Sequence, residues 1–187
     1  SGCGDLVANG DFEGDGGWEL QNAAFSNARF NSGARSLLLG LVNPAANAAS
    51  VSTAMTPVIH VPQDAPDAVL RVWLYTQSVT GAAAEPSVID QPEEVVFGDP
   101  VDPNDRQLVQ VLDANGAPLK DLLLLKGVNG GQWALVQFNL FEYANNNIRL
   151  GFRVSNDGSG AVSAMYVDDV SFQTCPTLVA PEEFTAG

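Results

Sequence analysis

Basic residues are scarce in this chain, and that scarcity decides much of what it can touch. Eight Lys and Arg stand against 22 Asp and Glu, giving a formal net charge of −14. Such a surface repels phosphate backbones and anionic headgroups, so nucleic acid and membrane surfaces are not expected partners. Neutral glycans, cations and basic proteins remain. Histidine is nearly absent: His60 is the only one, set in an Ile-His-Val-Pro stretch. A lone histidine in an edge-strand setting is more often an ordinary polar residue than a base. A serine nucleophile elbow, a two-histidine zinc helix and a phosphate loop are all missing, and no pair of acids is singled out for glycoside hydrolysis. The chain reads as a non-enzyme. No apolar run approaches the ~18 residues that cross a bilayer, so membrane insertion is not expected either.

Cysteine is limited to Cys3 and Cys175, one near each end. Paired, the two tie the terminal strands together and close a very long loop, for ~4–5 kcal/mol in the chain-entropy account. That pairing needs an oxidising compartment, hence an extracellular or cell-surface location. The other reading is two buried, unpaired thiols. Ser1 in place of Met fits removal of a leader or a trimmed piece.

What is present is a strand pattern. The chain has 187 residues, 45% of them hydrophobic, enough for one globular domain with a sizeable core. Short runs rich in Val, Leu, Phe and Trp alternate with clusters of Gly, Asn, Asp and Pro. Strands are expected over residues 6–13, 18–21, 36–41, 49–55, 58–61, 68–77, 107–112, 118–125, 133–140, 148–155 and 164–174. No stretch keeps a helical apolar period for three turns, and at most one helical turn follows Phe141. Asp113-Ala114-Asn115-Gly116 marks a hairpin whose Asn-Gly pair supplies two left-handed residues. The fold class is therefore all-β, a sandwich or barrel over residues 1–175.

Two segments stand apart. Residues 81–105 carry four Pro and seven acids, with no base. Within them Asp99, Asp102, Asn104 and Asp105 form a possible cation cluster, though without the spacing of an EF-hand loop. A solvated acidic loop is the plainer reading. Residues 176–187 read as a linker or arm, and Leu178-Val179-Ala180 could add a strand to a neighbour's sheet.

Five motifs occur in a fixed order: Asn9-Gly10-Asp11-Phe12-Glu13; Asn31-Ser32-Gly33-Ala34-Arg35; Trp133 to Phe138; Ile148 to Val154; and Tyr166-Val167-Asp168-Asp169-Val170. This order resembles the jelly-roll carbohydrate-binding modules, of galactose-binding-like type, that open on "N-G-x-F-E" and close on "DDV". The resemblance covers residues 5–173. It implies a jelly roll, a two-sheet antiparallel β-sandwich, and one structural Ca²⁺ where the first and last strands meet. Glu13 and Asp168 would supply carboxylates, with backbone carbonyls near Asp11, Ser32 and Arg35 completing the shell. Strand alternation puts Asp168 on the side of Tyr166, Val170 and Phe172; if those face the core, Asp168 is a buried carboxylate needing a partner. An ordinary salt bridge to Arg29 or Arg35 is the competing reading.

Alternation also marks a binding face. Arg71, Trp73 and Tyr75 share one side of their strand, and Arg149 and Arg153 share one side of theirs. With Gln110 and Gln137 they would make one sheet surface suited to sugars, whose C–H patches stack on rings while hydroxyls bond to Arg and Gln. The same face could instead lie under the acidic segment or dock a neighbouring subunit. The expected function is a non-catalytic extracellular glycan-binding module. The alternative is a self-assembling structural subunit of an extracellular filament, sheath or surface layer, with a neighbouring copy as partner. A third reading is an accessory domain of a larger secreted enzyme.

Overall fold

The computed structural model describes residues 3–64, 67–80 and 100–175. The acidic segment 81–99 and the arm 176–187, with its Leu178-Val179-Ala180 stretch, lie outside the described residues.

Twelve strands run in chain order: β1 Gly4–Asp5, β2 Glu19–Gln21, β3 Ala23–Ser26, β4 Ser36–Gly40, β5 Ala49–Met55, β6 Ile59–His60, β7 Asp67–Val79, β8 Arg106–Leu112, β9 Pro118–Leu125, β10 Trp133–Asn139, β11 Asn147–Asp157 and β12 Val162–Cys175. Two single 3₁₀ turns, Pro44–Ala46 and Phe141–Tyr143, are the only helical elements among the described residues. The strands form two antiparallel sheets. Sheet A has the order β10-β7-β12-β4-β3, with β1 also on β12; sheet B has the order β2-β5-β11-β8-β9, with β6 on β11. Each chain neighbour that crosses between the sheets closes the jelly roll, so the two-sheet sandwich stands as expected.

One core lies between the sheets. Leu70, Val72 and Leu74 of β7 meet Leu150, Phe152 and Val154 of β11, and Leu37 and Leu39 of β4 complete the layer. Their alternation with half-exposed neighbours is the period-2 signature of a strand buried on one face. The alternate residues necessarily point to two outer faces on opposite sides of the molecule.

Cys3 and Cys175 form the disulfide, across a sequence separation of 172. β1 pairs with the end of β12 beside it, Gly4 opposite Thr174 and Asp5 opposite Gln173. The ends of the domain lie side by side in neighbouring strands.

Residues 6–13, expected as a strand, are instead a chain of turns. Asn9 and Phe12 adopt left-handed φ values of 53° and 59°. Asn9 holds the turns together: its side chain donates to the carbonyls of Gly14 and Gly16, both at 2.8 Å, and accepts from the Gly14 N–H at 2.8 Å. Gly10 lies flat on β12, its carbonyl accepting from the Val170 N–H at 2.8 Å. A Cβ on Gly10 would overlap the Val170 carbonyl oxygen, so only glycine fits. Phe12 is fully buried against Trp18 and Phe25, with ring centroids 5.2 and 6.0 Å away. That packing offsets the strain of a left-handed phenylalanine.

Candidate functional site

Three places carry polar chemistry: the turn where the ends meet, a cluster at one end of the sandwich, and the two outer sheet faces.

At the turn, Glu13 and Asp168 do converge on one loop, residues 31–35. Asp168 is fully buried; its Oδ2 accepts from the N–H groups of Asn31 at 2.7 Å and Ser32 at 3.1 Å, and its Oδ1 from Asp169 at 2.8 Å. Glu13 Oε1 accepts from the N–H groups of Ala34 at 2.9 Å and Arg35 at 3.1 Å. Asp11 folds locally, accepting from the Glu13 N–H at 3.2 Å. The Arg35 guanidinium donates to the carbonyls of Phe12 and Gly14 and pairs with Asp15 at 2.7 Å. Loop 31–35 thus presents amide donors to both carboxylates, while the Arg35 guanidinium goes to Asp15 and to two carbonyls; neither Glu13 nor Asp168 forms an ion pair among the described residues.

The expected side of Asp168 also needs correction. Asp169 is left-handed, with φ 47°, and the register slips between Asp168 and Ser171. Before this bulge Met165 and Val167 face the core; after it Val170 and Phe172 do. Tyr166 and Asp168 therefore point outward from sheet A, and Asp168 is buried by loop 31–35 lying over it. Burial pushes its carboxyl above the usual range, and the N–H groups of Ser32, Asn31 and Asp169 pull it back.

The second place is an acidic triad. Asp102 and Asp105 precede β8, and Asp157 ends β11; their ligand oxygens all lie within 4.8 Å of one another. Asp105 is fully buried and Asp102 nearly so. Asp105 accepts from the Asp157 N–H at 3.0 Å and the Ser163 hydroxyl at 2.7 Å; Asp102 accepts from the N–H groups of Asn104 and Ala161, each at 3.1 Å. No Lys or Arg forms an ion pair with the triad among the described residues. Burial holds the Asp105 carboxyl above its ordinary value; the Ser163 and Asp157 hydrogen bonds oppose this, and the neighbouring carboxylates add to it. Asp157 itself is held low by the Ser159 N–H and hydroxyl. Oxygens on one Ca²⁺ at 2.3–2.6 Å lie no more than about 5 Å apart, so this spacing fits a shared cation. Sequence reading found Asp102 and Asp105 but missed Asp157. Its signal was only an acid in the turn 156–160, and its approach to Asp105 depends on β8 and β11 being neighbours.

The seven residues expected on one binding face occupy two. Arg71, Trp73 and Tyr75 of β7 and Gln137 of β10 lie on the outside of sheet A, with Arg71 opposite Gln137 and Tyr75 opposite Trp133. Tyr75 makes edge contacts with Trp133 at 5.8 Å and Tyr166 at 6.0 Å, and the Arg29 guanidinium covers its ring at 4.4 Å. Gln110, Arg149 and Arg153 lie on the outside of sheet B, across the core. Alternation gives each strand's two sides correctly; it cannot tell which sheet a strand joins.

On sheet B these residues border a groove of about 220 Å³. Its floor is Gly151, at the centre of β11, with Gln110 of β8 on one side and Met55 of β5 on the other. Leu112, Pro118 and Met55 give it an apolar wall; Gln21, Thr53, Gln110 and Arg153 give it polar groups. Gln110 donates to Asp121 at 2.8 Å. Arg149 stands just beyond, paired with Glu19 at 2.8 Å and donating to the Ala114 carbonyl at 3.1 Å. The side chains of Gln21, Thr53 and Arg153 make no hydrogen bond or ion pair with other described residues. Gln21, Thr53 and Met55 were not foreseen, because β2 and β5 join β11 only through the topology. His60, away from this groove, lies 2.9 Å from the Asn147 side chain on the edge strand β6.

This architecture, two antiparallel sheets with the terminal strands paired, is a β-sandwich. No family model matches the sequence, and no curated protein matches it. Among solved structures, the module TmCBM61 in complex with β-1,4-galactotriose is similar over 90% of this chain and 97% of its own, at 12% identity and TM-score 0.53. The K3 cleaved adhesin domain of Lys-gingipain from Porphyromonas gingivalis is similar over 92% and 99%, at 16% identity and TM-score 0.54. At these identities the likeness is one of fold. No helix among the described residues is long and apolar enough to cross a membrane.

Proposed function

We propose that this chain is a non-catalytic, extracellular glycan-binding module that takes its ligand in the groove across sheet B. The observation that carries this reading is the composition of the groove. A sugar ring has apolar C–H patches and a rim of hydroxyls. The groove sets Met55, Leu112 and Pro118 against the unspent side-chain groups of Gln21, Thr53 and Arg153. Its volume is below the ~300–1,000 Å³ of enclosed drug-sized sites, so the ligand lies along the sheet, partly in solvent. The fold is one that carbohydrate-binding modules use, and a fold alone does not assign a ligand. The disulfide supports an oxidising, extracellular setting.

A structural calcium belongs to the same reading, held by Asp102, Asp105 and Asp157. Two buried carboxylates without an ion pair among the described residues need a cation or a proton, and an all-oxygen set suits calcium. The ion would neutralise the cluster and fix the loop ahead of β8 to the end of β11.

Affinity electrophoresis on a panel of immobilised polysaccharides tests the glycan reading. Binding should fall at least about tenfold in Gln110→Ala and Arg153→Ala, the loss of one or two good hydrogen bonds. Trp73→Ala and Arg71→Ala, across the core, should leave it unchanged. Loss confined to the sheet A variants would move the site to the other face, and no retardation on any polysaccharide would end the proposal.

A further inference from the structure

Acids are abundant on this chain, yet among the described residues that line the groove on sheet B there is none, in a chain with 22 acids and 8 bases. The one charged group among those described lining residues is Arg153, which has no ion pair or hydrogen bond with another described residue. The other cations of this face are already committed. Arg149 is paired with Glu19, and Arg106 donates to the carbonyls of Pro103 and Asp105. Of the face's acids, Glu19 is neutralised by Arg149, and Asp121 stands on β9 beside the groove, holding Gln110.

A guanidinium left uncommitted beside a polar groove is a receptor for an anion. Its planar fork matches the geometry of a carboxylate or sulfate oxygen pair, and a charge-assisted pair is roughly twice as strong as a neutral hydrogen bond. The net charge of −14 works against anions at long range. That repulsion is screened beyond about 8 Å at physiological salt, so the groups lining the groove decide.

We infer that the saccharide bound in this groove is anionic, and that Arg153 receives its charged group, a uronate carboxylate or a sulfate ester. The inference rests on the glycan reading above and adds the ligand's charge. The rest of the lining serves the sugar ring: Met55 and Leu112 against its C–H face, Gln21, Thr53 and Gln110 toward its hydroxyls.

Isothermal titration with three oligosaccharides of equal length tests it: oligogalacturonate, a sulfated galactan fragment and the neutral galacto-oligosaccharide. One or both anionic ligands should bind about tenfold more tightly than the neutral one, and the margin should shrink between 50 and 500 mM NaCl. Arg153→Gln should bring the ratio to about one, because anionic binding falls about tenfold further than neutral binding does, with the melting temperature near wild type. Arg153→Lys should keep a preference, though a smaller one, because the fork is lost. A neutral ligand that binds as tightly as both anionic ones overturns the inference and leaves the glycan reading intact. So does a preference that survives Arg153→Gln. Failure of all three ligands, and of the polysaccharide panel with them, overturns both.

Discussion

Gly10 shows how one residue can hold a domain boundary. Its missing side chain lets the N-terminal turns lie against β12, and its carbonyl takes the Val170 N–H. Gly10→Ala should therefore force the two segments apart and cost about 3 kcal/mol, the upper part of the overpacking range. A urea titration followed by tryptophan fluorescence reads this directly. Phe12→Ala, which empties a fully buried ring site, should cost about 3–5 kcal/mol. Both residues were visible in the sequence as a motif, and the structure supplies the mechanism: close approach for the glycine, a buried left-handed ring for the phenylalanine.

Asp105 makes a prediction about sign. Its folded value is raised, chiefly by burial, so the native state holds a proton more readily than the unfolded chain does. Between the ordinary value of 3.8 and that raised value, stability contributed by Asp105 falls as pH rises and recovers as pH falls. Asp168 acts in the same sense, and Asp157, held low, in the opposite one. With chelator at neutral pH, Asp105→Asn should raise the melting temperature, since Asn can take the Asp157 N–H and donate to the Ser163 hydroxyl without a buried charge. The gain should fade as pH drops toward 3.8. In excess calcium the same variant should melt lower than wild type. A scanning-fluorimetry grid of pH against calcium checks both; the same sign in chelator and calcium would remove calcium from the triad.

Elements were more legible than their ends. Ten of the eleven expected strands form, because one-sided burial prints a period of two into sequences such as that of β7. The short strands β1 and β3 were not expected, and the expectations that fail do so where a residue leaves the β region. Residues 6–13 turn at Asn9 and Phe12, and β12 switches faces at Asp169. In the β8–β9 hairpin only Gly116 is left-handed, with φ 87°, while Asn115 is not. Asp113 organises that turn, its Oδ1 accepting from the N–H groups of Asn115 and Ala117 at 2.8 and 2.9 Å. The result is a right-handed turn closed by a glycine, with the register slip between Val111 and Leu112 beside it.

The terminal strands are short-range partners only because of the disulfide and β1–β12 pairing. Cys3→Ala with Cys175→Ala should lower unfolding stability by about 5 kcal/mol at most, the entropy of so long a loop. The variant should keep its β-sheet circular dichroism, since the core between the sheets does not use the sulfurs. Guanidinium unfolding with and without the bridge measures the difference.

At the scale of the whole molecule, the sandwich turns one list of polar and aromatic residues into two faces. Sheet A gathers Trp133 and Tyr166 against Tyr75, whose ring the Arg29 guanidinium covers, with Trp73 on the same strand; sheet B gathers the groove around Gly151. Which strands adjoin is set by non-local pairing, and that is why Arg71 and Arg153 look equivalent in sequence and sit on opposite sides. The charge balance has the same character. It is a sum over the surface, and a groove with no acid among its described lining residues emerges only when β2, β5, β8 and β11 are laid side by side.

The measurement that addresses the central claim most directly is a ¹⁵N-correlation titration of the intact chain with the tightest ligand from the saccharide panel. Shifts concentrated on the amides of β2, β5, β8 and β11 around Gly151, with β7 and β10 unmoved, are the predicted result. Shifts centred on Trp73, Tyr75 and Trp133, or none at saturating ligand, would contradict it.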